Sequence, residues 1–403
     1  MEDSRIPMAT ADPIPEINRP SARTGYALLV LIAPLPQEQL ENVLARLTAL
    51  FPAPELLIAT QNGIAADAYP TLKIISAPAT NISWMLTAAD FVNAYQLAQK
   101  NEARAILMLG PDCGSLGTAG LRDLAAAVLS ASTDVALPYY DLPPNAGLVN
   151  SAILYPLTRA LFATRARFPL AIDLGLSLRM AERLAASGQR FTALNQNDAL
   201  IWPIAEAVVA GFTINEFDVG PRTLPQPADT DIRSILALVT GSLFADIESK
   251  AAFWQRPRRL PPGRALMPRH PYIDGASDLA SMIDGFRLAY SNLQEIWSLV
   301  LPPNSLLGLK RLSVIDAASF RMPENLWARI VYDFLIAFRQ RTINRGHLMG
   351  ALIPLYLAWV AGHINITASG FDSERHIEAV AAAFDADKPY LVSRWRWPDR
   401  FNP

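Results

Sequence analysis

The stretch Ala105-Ile106-Leu107-Met108-Leu109-Gly110-Pro111-Asp112-Cys113-Gly114-Ser115 decides the fold, because an uninterrupted apolar run ends abruptly in turn residues. Such a run predicts a buried strand, and Gly, Pro and Asp are residues that open a turn. Polar groups that follow a buried strand are typical of the ligand crevice of α/β enzymes. Asp112 is therefore either a ligand of a metal or phosphate group, or the N-cap of a helix predicted over 116–129. These residues alone leave both interpretations open.

Similar apolar runs lie on both sides of this stretch. We predict strands over 26–32, 56–60, 72–76, 105–109, 135–139 and 212–219, and helices over 38–50, 83–100, 116–129, 153–164, 177–187 and 201–210. The segment 165–176 reads as irregular. Continuous apolar strands that alternate with helices predict an α/β fold, with a mostly parallel sheet covered by helices on both faces.

The texture changes from about residue 225, where helical patterns are separated by Pro- and Gly-rich connections. We predict helices over 232–252, 276–300, 324–342, 346–361 and 373–384. The chain thus divides into a tail over 1–24, an α/β domain over 25–224 and a helical domain over 225–403. The tail carries prolines and scattered charges without an apolar core, so it reads as disordered and not as a signal peptide, and we expect a cytoplasmic protein.

Composition excludes several classes of function. The chain has 403 residues with a formal net charge of −2 and no long basic block, so we expect no nucleic-acid partner. Its single cysteine and its four histidines have no metal-ligand spacing. The apolar stretch 348–362 contains Pro354 and is too short for a membrane span, so it predicts a core helix. A peripheral membrane contact through this stretch, and a homo-oligomer, are left open.

A second candidate carboxylate, Asp173, lies in the irregular segment, with Arg165 and Arg167 before it and Gly175 after it. It could cap the helix predicted from Ser177. The two arginines could instead neutralise a phosphate or carboxylate, although solvated arginines are as common.

A resemblance to a known family extends along most of the chain. The segments that carry it are Asp112, Tyr155-Pro156-Leu157-Thr158-Arg159-Ala160-Leu161, Asp173-Leu174-Gly175-Leu176-Ser177, Trp202, Ala207-Val208-Val209-Ala210-Gly211-Phe212, Leu326-Trp327-Ala328-Arg329-Ile330-Val331-Tyr332-Asp333-Phe334, Pro354-Leu355-Tyr356 and Lys388-Pro389-Tyr390-Leu391-Val392-Ser393-Arg394-Trp395. In this order they resemble bacterial glycosyltransferases of the GT-A fold related to mannosylglycerate synthase. The resemblance implies a nucleotide-sugar-binding domain over 25–224. It also implies transfer of a hexose from a GDP- or UDP-sugar to a small, lipid or saccharide acceptor, assisted by Mg²⁺ or Mn²⁺.

The resemblance also implies the site residues. Asp112 would bind the metal and the donor diphosphate, Gln61 the nucleoside, and Arg165 and Arg167 the diphosphate. Asp173 and Asp198 would be the catalytic carboxylates.

The chain departs from the family at these polar positions. The family's Asp-x-Asp motif reads Gly110-Pro111-Asp112, and Gln61 stands where the family has an acidic residue. Ala171-Ile172 replaces a glycine pair, and Leu200 replaces an aspartate, with Asp198 two residues earlier. The polar element Asp-Gly-Thr-Ile-Thr-Asn becomes residues 146–151, which are mostly apolar.

Three hypotheses follow from this pattern of matching scaffold and altered site. The first is an active transferase. The second is a degenerate glycosyltransferase-like protein, a pseudoenzyme that acts as a binding or scaffolding subunit. The third is a membrane-associated or assembly protein that uses the helical half.

Overall fold

The structure, a computed structural model, describes residues 25–62, 69–78, 84–224, 232–263 and 278–397. The predicted tail over 1–24 lies outside them. The strands are β1 (Leu28–Ile32), β2 (Leu56–Thr60), β3 (Lys73–Ser76), β4 (Ala105–Leu109), β5 (Val135–Asp141), β6 (Leu174–Ser177) and β7 (Ile214–Pro221). They form a seven-stranded sheet in the order β3-β2-β1-β4-β6-β5-β7.

The sheet is parallel except for β6, which runs antiparallel to both of its neighbours, β4 and β5. The strands β2 and β4 are buried at every position, as their uninterrupted apolar sequences predict. The ends of β1, β2, β3 and β4 lie at one edge because these strands are in parallel register. Met108 pairs with Leu174, so the chain that enters β6 meets the chain that leaves β4.

The described part of this half has six α-helices: α1 (Gln37–Leu50), α2 (Ala88–Lys100), α3 (Thr118–Leu129), α4 (Tyr155–Phe162), α5 (Leu178–Thr192) and α6 (Pro203–Ala210). The helices α1 and α3 cover one face of the sheet, and α2, α5 and α6 cover the other. The α/β fold with a mostly parallel sheet is therefore confirmed. The interpretation of 165–176 as irregular was wrong at its end, because β6 begins at Leu174.

The second half is helical throughout the part that the structure describes. Its helices are α7 (Ile232–Ser249), α8 (Ala251–Trp254), α9 (Leu279–Asn292), α10 (Gln294–Ser298), α11 (Pro303–Ser313), α12 (Glu324–Gln340), α13 (Arg345–Ala368) and α14 (Ser373–Arg396). The sequence analysis did not predict α11. A large apolar core joins these helices to α4 and to the turn before it.

The apolar stretch 348–362 lies within α13. Among the described residues, α13 is the one helix long and apolar enough to cross a membrane, and 61% of its most apolar window is buried inside the protein. Trp359, Ala361 and Gly362 are buried in the core. The prediction of a core helix is confirmed.

Candidate functional site

Asp112 lies in a tight turn at the carboxyl end of β4, the central strand. Its backbone is left-handed, with φ of 56° and ψ of 18°, a conformation that costs a residue other than glycine free energy unless its surroundings impose it. The amide and the hydroxyl of Ser115 both donate to the Asp112 carbonyl, at 3.0 and 2.8 Å. The Asp112 side chain is half-buried and makes no capping hydrogen bond. The N-cap of α3 is Gly117, so the interpretation of Asp112 as the cap of that helix was wrong.

The Asp173 side chain supports the turn that carries Asp112. Its carboxylate is fully buried and accepts hydrogen bonds from the Gly110 amide at 2.9 Å and from the Tyr140 hydroxyl at 2.9 Å. The Arg222 Nε donates to the same carboxylate at 3.0 Å, in an ion pair with no exposed side-chain surface. Burial, followed by the charge of Asp173, raises the pKa of Tyr140 well above its ordinary value, so Tyr140 is a neutral donor.

Arg222 extends the same cluster to the turn itself. It follows β7, and its Nη2 donates to the Pro111 carbonyl at 2.6 Å while its Nη1 donates to the Thr223 carbonyl at 2.8 Å. Each nitrogen of its guanidinium thus has a partner. The cluster of Asp173, Tyr140 and Arg222, called here the buried cluster, fixes the backbone just before Asp112, at the Gly110 amide and the Pro111 carbonyl.

The buried cluster changes the interpretation of Asp173. A carboxylate with no exposed surface and four donors cannot reach a substrate without leaving its ion pair. Its catalytic role stays a prediction that this geometry does not support, and the geometry gives it a positioning role instead. Sequence reasoning did not find Arg222, although Arg222 follows a strand, the same signal that singled out Asp112.

Gly110 stands where the family has its first aspartate, and there is little room for a side chain. A Cβ built on Gly110 would lie 3.0 Å from both the Cβ and the carbonyl oxygen of Ile172. Ile172 itself is buried. The two positions at which the sequence differs from the family that it resembles are therefore in direct contact: the Ile172 side chain and carbonyl fill the space beside Gly110.

A narrow crevice runs along this edge of the sheet. It holds about 60 Å³ and is lined by Gln61, Gly110, Pro111, Asp90 and Asn93, among others. Gln61 donates to the Pro78 carbonyl at 3.1 Å. The structure thus brings Gln61 and the Asp112 turn to one crevice, at the ends of β2 and β4 on either side of β1.

Asp198 lies next to the start of α2, on the same side as the crevice. The Ala88 and Ala89 amides donate to the carbonyls of Ala199 and Asn197, on either side of Asp198. Burial, reinforced by the charge of Asp198, raises the pKa of Asp90 against the opposing effect of its hydrogen bonds to Thr87. The catalytic role of Asp198 stays a prediction.

Arg165 and Arg167 are directed at the helical half. Arg167 makes a bidentate ion pair with Glu374 of α14, with both distances at 3.0 Å and both side chains 5% exposed. Arg165 donates to the Pro261 carbonyl at 2.8 Å and lies 3.5 Å from Glu378. A guanidinium already paired in the interior is not available to a diphosphate, so the geometry of Arg167 does not support the predicted contact.

The thiol of Cys113, next to Asp112, is not a candidate nucleophile. Burial raises the pKa of Cys113 to about 12, so it is an inert thiol. No group of three or more His, Cys, Asp or Glu side chains that could hold a metal occurs within the described ranges. Asp112 stays the one metal ligand that the sequence analysis predicts at this edge.

No protein-family model matches this chain, and no curated protein matches it in sequence. It is similar to solved structures of glucosyl-3-phosphoglycerate synthase from Mycobacterium tuberculosis. The complex with phosphoglyceric acid is 12% identical with a TM-score of 0.35, over 55% of this chain and 80% of that one. The complex with Mn²⁺ and UDP-glucose is 13% identical with a TM-score of 0.34, over 55% and 79%.

A mannose-1-phosphate geranyltransferase from Thermus thermophilus is 16% identical with a TM-score of 0.24, over 49% of this chain and 74% of that one. At these identities and scores the likenesses assign no activity to this chain. The chain itself has the GT-A type of architecture that its sequence predicts: a mostly parallel seven-stranded sheet between layers of helices, followed by a helical region.

Proposed function

We propose that this protein is a nucleotide-sugar-dependent glycosyltransferase in which Asp112 holds the donor diphosphate through a divalent cation. One observation carries the proposal: Asp112 keeps a left-handed backbone and a half-buried carboxylate on a turn that the buried cluster holds rigidly. Strained residues of this kind concentrate at functional sites. The turn lies at the carboxyl edge of the sheet, where α/β folds bind their ligands.

The single carboxylate of Asp112 suits a cation that binds together with the diphosphate of the nucleotide sugar. Mg²⁺ is commonly bound by one or two carboxylates together with waters and phosphate oxygens, so a single Asp112 is sufficient in that setting. It is not sufficient for a cation bound by the protein alone. When bound, Mg²⁺ or Mn²⁺ would neutralise charge on the departing diphosphate.

The reaction would be a displacement at the anomeric carbon of the sugar. The acceptor oxygen forms a bond to that carbon while the bond from the carbon to the diphosphate breaks. The electron pair leaves with the nucleoside diphosphate, and the proton of the acceptor hydroxyl passes to the same diphosphate. Asp112 would orient the diphosphate, Gln61 would contact the nucleoside, and Asp173 would act by fixing the Gly110 amide.

Release of UDP or GDP from the matching nucleotide sugars, with Mn²⁺ present, tests this proposal. Asp112→Asn keeps the size of the side chain and removes its charge, so we expect turnover to fall by at least about 100-fold. Asp123→Asn is the matched control, because Asp123 is an exposed acid on α3 whose described partner is the neighbouring Arg122. If the wild type releases no nucleotide from any of these sugars, or if both variants behave alike, the proposal fails.

A second candidate function is binding without turnover, as expected of a degenerate relative. The packing of Ile172 against Gly110 favours it, because the lost carboxylate cannot be accommodated without moving Ile172. Calorimetry separates the two functions. Binding of UDP or GDP with Mn²⁺, combined with no sugar release over hours, would support the binding protein and exclude the transferase.

A further inference from the structure

A second cavity of about 440 Å³ lies between the sheet edge and the helical half. Its walls come from the segment after β5, from the entry to β6, and from α7, α9 and α13. The apolar members of the lining are Trp84, Met85, Ala146, Leu148, Val149, Leu154, Phe168, Leu170, Ile172, Leu224, Ile235, Val239, Met282, Leu357 and Val360. A volume of this size is that of a small-molecule site, and lining of this kind favours a hydrocarbon.

Three polar side chains in the lining have an atom without a partner among the described residues: Asn145 and Asn150, each at its buried Oδ1, and Tyr356. Asn150 is 9% exposed, and its Nδ2 donates to the Arg167 carbonyl at 3.0 Å. That bond fixes the amide orientation and leaves Oδ1 as a buried acceptor with no donor in the described parts of the chain. Tyr356 is 3% exposed, and burial raises the pKa of its phenol well above the ordinary value. No hydrogen bond to the Tyr356 hydroxyl occurs within the described residues. A buried polar group without a hydrogen bond lowers stability by about 1–3 kcal/mol, and a hydrogen bond to a ligand could recover this free energy.

The lining carries no charge. None of the described residues that line the cavity is Lys, Arg, His, Asp or Glu. Arg167 lies behind Asn150 and is not part of the lining; Glu374 and Ser151 hold its Nε and Nη2, and its Nη1 is buried without a described partner. A phosphorylated or carboxylated ligand would therefore enter without a counter-ion, which is strongly unfavourable in an apolar site.

The cavity adjoins the crevice beside Asp112. Ile172 and Met85 line both spaces. A hydroxyl held by Asn150 Oδ1 would thus belong to a molecule that shares a wall with the donor crevice.

We propose that this cavity binds an uncharged alcohol with an apolar body, whose hydroxyl donates to Asn150 Oδ1. Its role as the glycosyl acceptor rests on the transferase proposed above, whereas the binding itself does not. Because the crevice and the cavity meet at Ile172, this assignment gives a reason for an isoleucine there: it forms part of the wall of an apolar site.

Calorimetric titration of the full chain with octanol, decanol and dodecanol tests the binding without any nucleotide sugar. We expect saturable binding of decanol, and about tenfold weaker binding of decyl methyl ether, which has no hydroxyl to donate. Decanoate should bind weakest, because its charge has no partner. Equal affinities for the three decyl compounds would overturn the proposal.

Two variants locate the site. Leu357→Trp places a larger ring in the cavity from the half-buried side of α13, so it should abolish decanol binding. Asn150→Leu should reduce decanol binding to the level of the ether and leave the ether unchanged. Leu288→Trp, at a 65% exposed position on α9, is the matched control. Unchanged binding in both test variants would place the alcohol elsewhere and overturn the proposal.

A decanol that carries a photoreactive diazirine gives a readout that needs no variant. Labelling should fall on α7, α9, α13 and residues 145–150. Labelling confined to other segments would overturn the proposal. Alcohol binding without any sugar release would leave this inference standing and defeat the transferase, and donor hydrolysis without alcohol binding would do the reverse.

Discussion

The buried cluster and the apolar cavity meet near Ile172, and they differ in whether their buried polar groups have hydrogen-bond partners. In the buried cluster, Asp173 and Arg222 have a partner at every charged atom and no exposed surface. In the cavity beside it, Asn150 Oδ1 is buried without one. A saturated polar group in a protein interior serves the fold, whereas an unsatisfied one is a candidate for contact with a ligand. At this edge of the sheet, the buried cluster therefore positions the backbone, whereas the cavity is the candidate for ligand binding.

Breaking the buried cluster should have the largest effect. Arg222→Met leaves a carboxylate buried without its cation, so we expect the free energy of unfolding to fall by about 3–5 kcal/mol. Urea unfolding measures this loss. The double variant Asp173→Leu with Arg222→Met removes both charges and should recover much of it. A loss below about 1 kcal/mol in the single variant would mean that the Asp173 charge is not truly buried.

Acid should weaken the rim of the cavity through a pair of histidines. His363 and His376 are buried, with their Nδ1 atoms 2.7 Å apart, and His363 Nε2 lies 3.2 Å from the Pro144 carbonyl. Burial lowers the pKa of each from 6.5 to about 4, and the charge of Arg321 lowers that of His376 further while Glu324 opposes it. Below the unfolded pKa the unfolded chain binds protons that the folded chain does not.

Stability contributed by the neutral pair is therefore complete above about pH 6.5 and is lost as pH falls toward 4. Urea unfolding across this range should show the decline, and His376→Leu should flatten it. A slope that the variant leaves unchanged would assign the decline to other groups.

Placing a carboxylate at Gly110 sharpens the comparison. Gly110→Asp alone forces Ile172 to move, so we expect a loss of about 1–3 kcal/mol in unfolding free energy. The double variant with Ile172→Gly removes the contacts with the Ile172 side chain and leaves only the contact with its carbonyl oxygen. Calorimetry with Mn²⁺ and UDP should then show binding at least about tenfold tighter than in Gly110→Asp. Equal affinity in the two variants would show that Ile172 does not control access to this position.

Replacing Asp112 should have the smallest effect on stability. Asp112→Gly relieves the left-handed backbone, so stability should stay constant or rise by up to about 1 kcal/mol while Mn²⁺-dependent UDP binding is lost. Thermal unfolding and calorimetry on the same sample measure both. A marked loss of stability would give Asp112 a structural role instead.

The sequence pattern predicted the buried strands correctly, because their formation depends on neighbouring residues in the chain. The strands over 56–60 and 105–109 have the predicted bounds, because wholly apolar runs bounded by turns form buried parallel strands. The short strand β6 was missed, since it has only four residues and no hairpin signal beside it. The two arginines nearest to Asp173 drew attention, but its partner is Arg222, 49 residues away. Pairing over such distances is set by topology, which the sequence pattern does not contain.

The ion pair between Arg167 and Glu374 can form only late in the synthesis of the chain. The two residues are 207 positions apart in the chain. At a ribosomal rate of about 5–20 residues per second, roughly 10 to 40 s separate the synthesis of Arg167 from that of Glu374. During that interval Arg167 has no Glu374 carboxylate with which to pair. A chain that stops before α14 should accordingly be cleaved by protease within 164–173, and resistance there would show that the sheet matures without its distant partner.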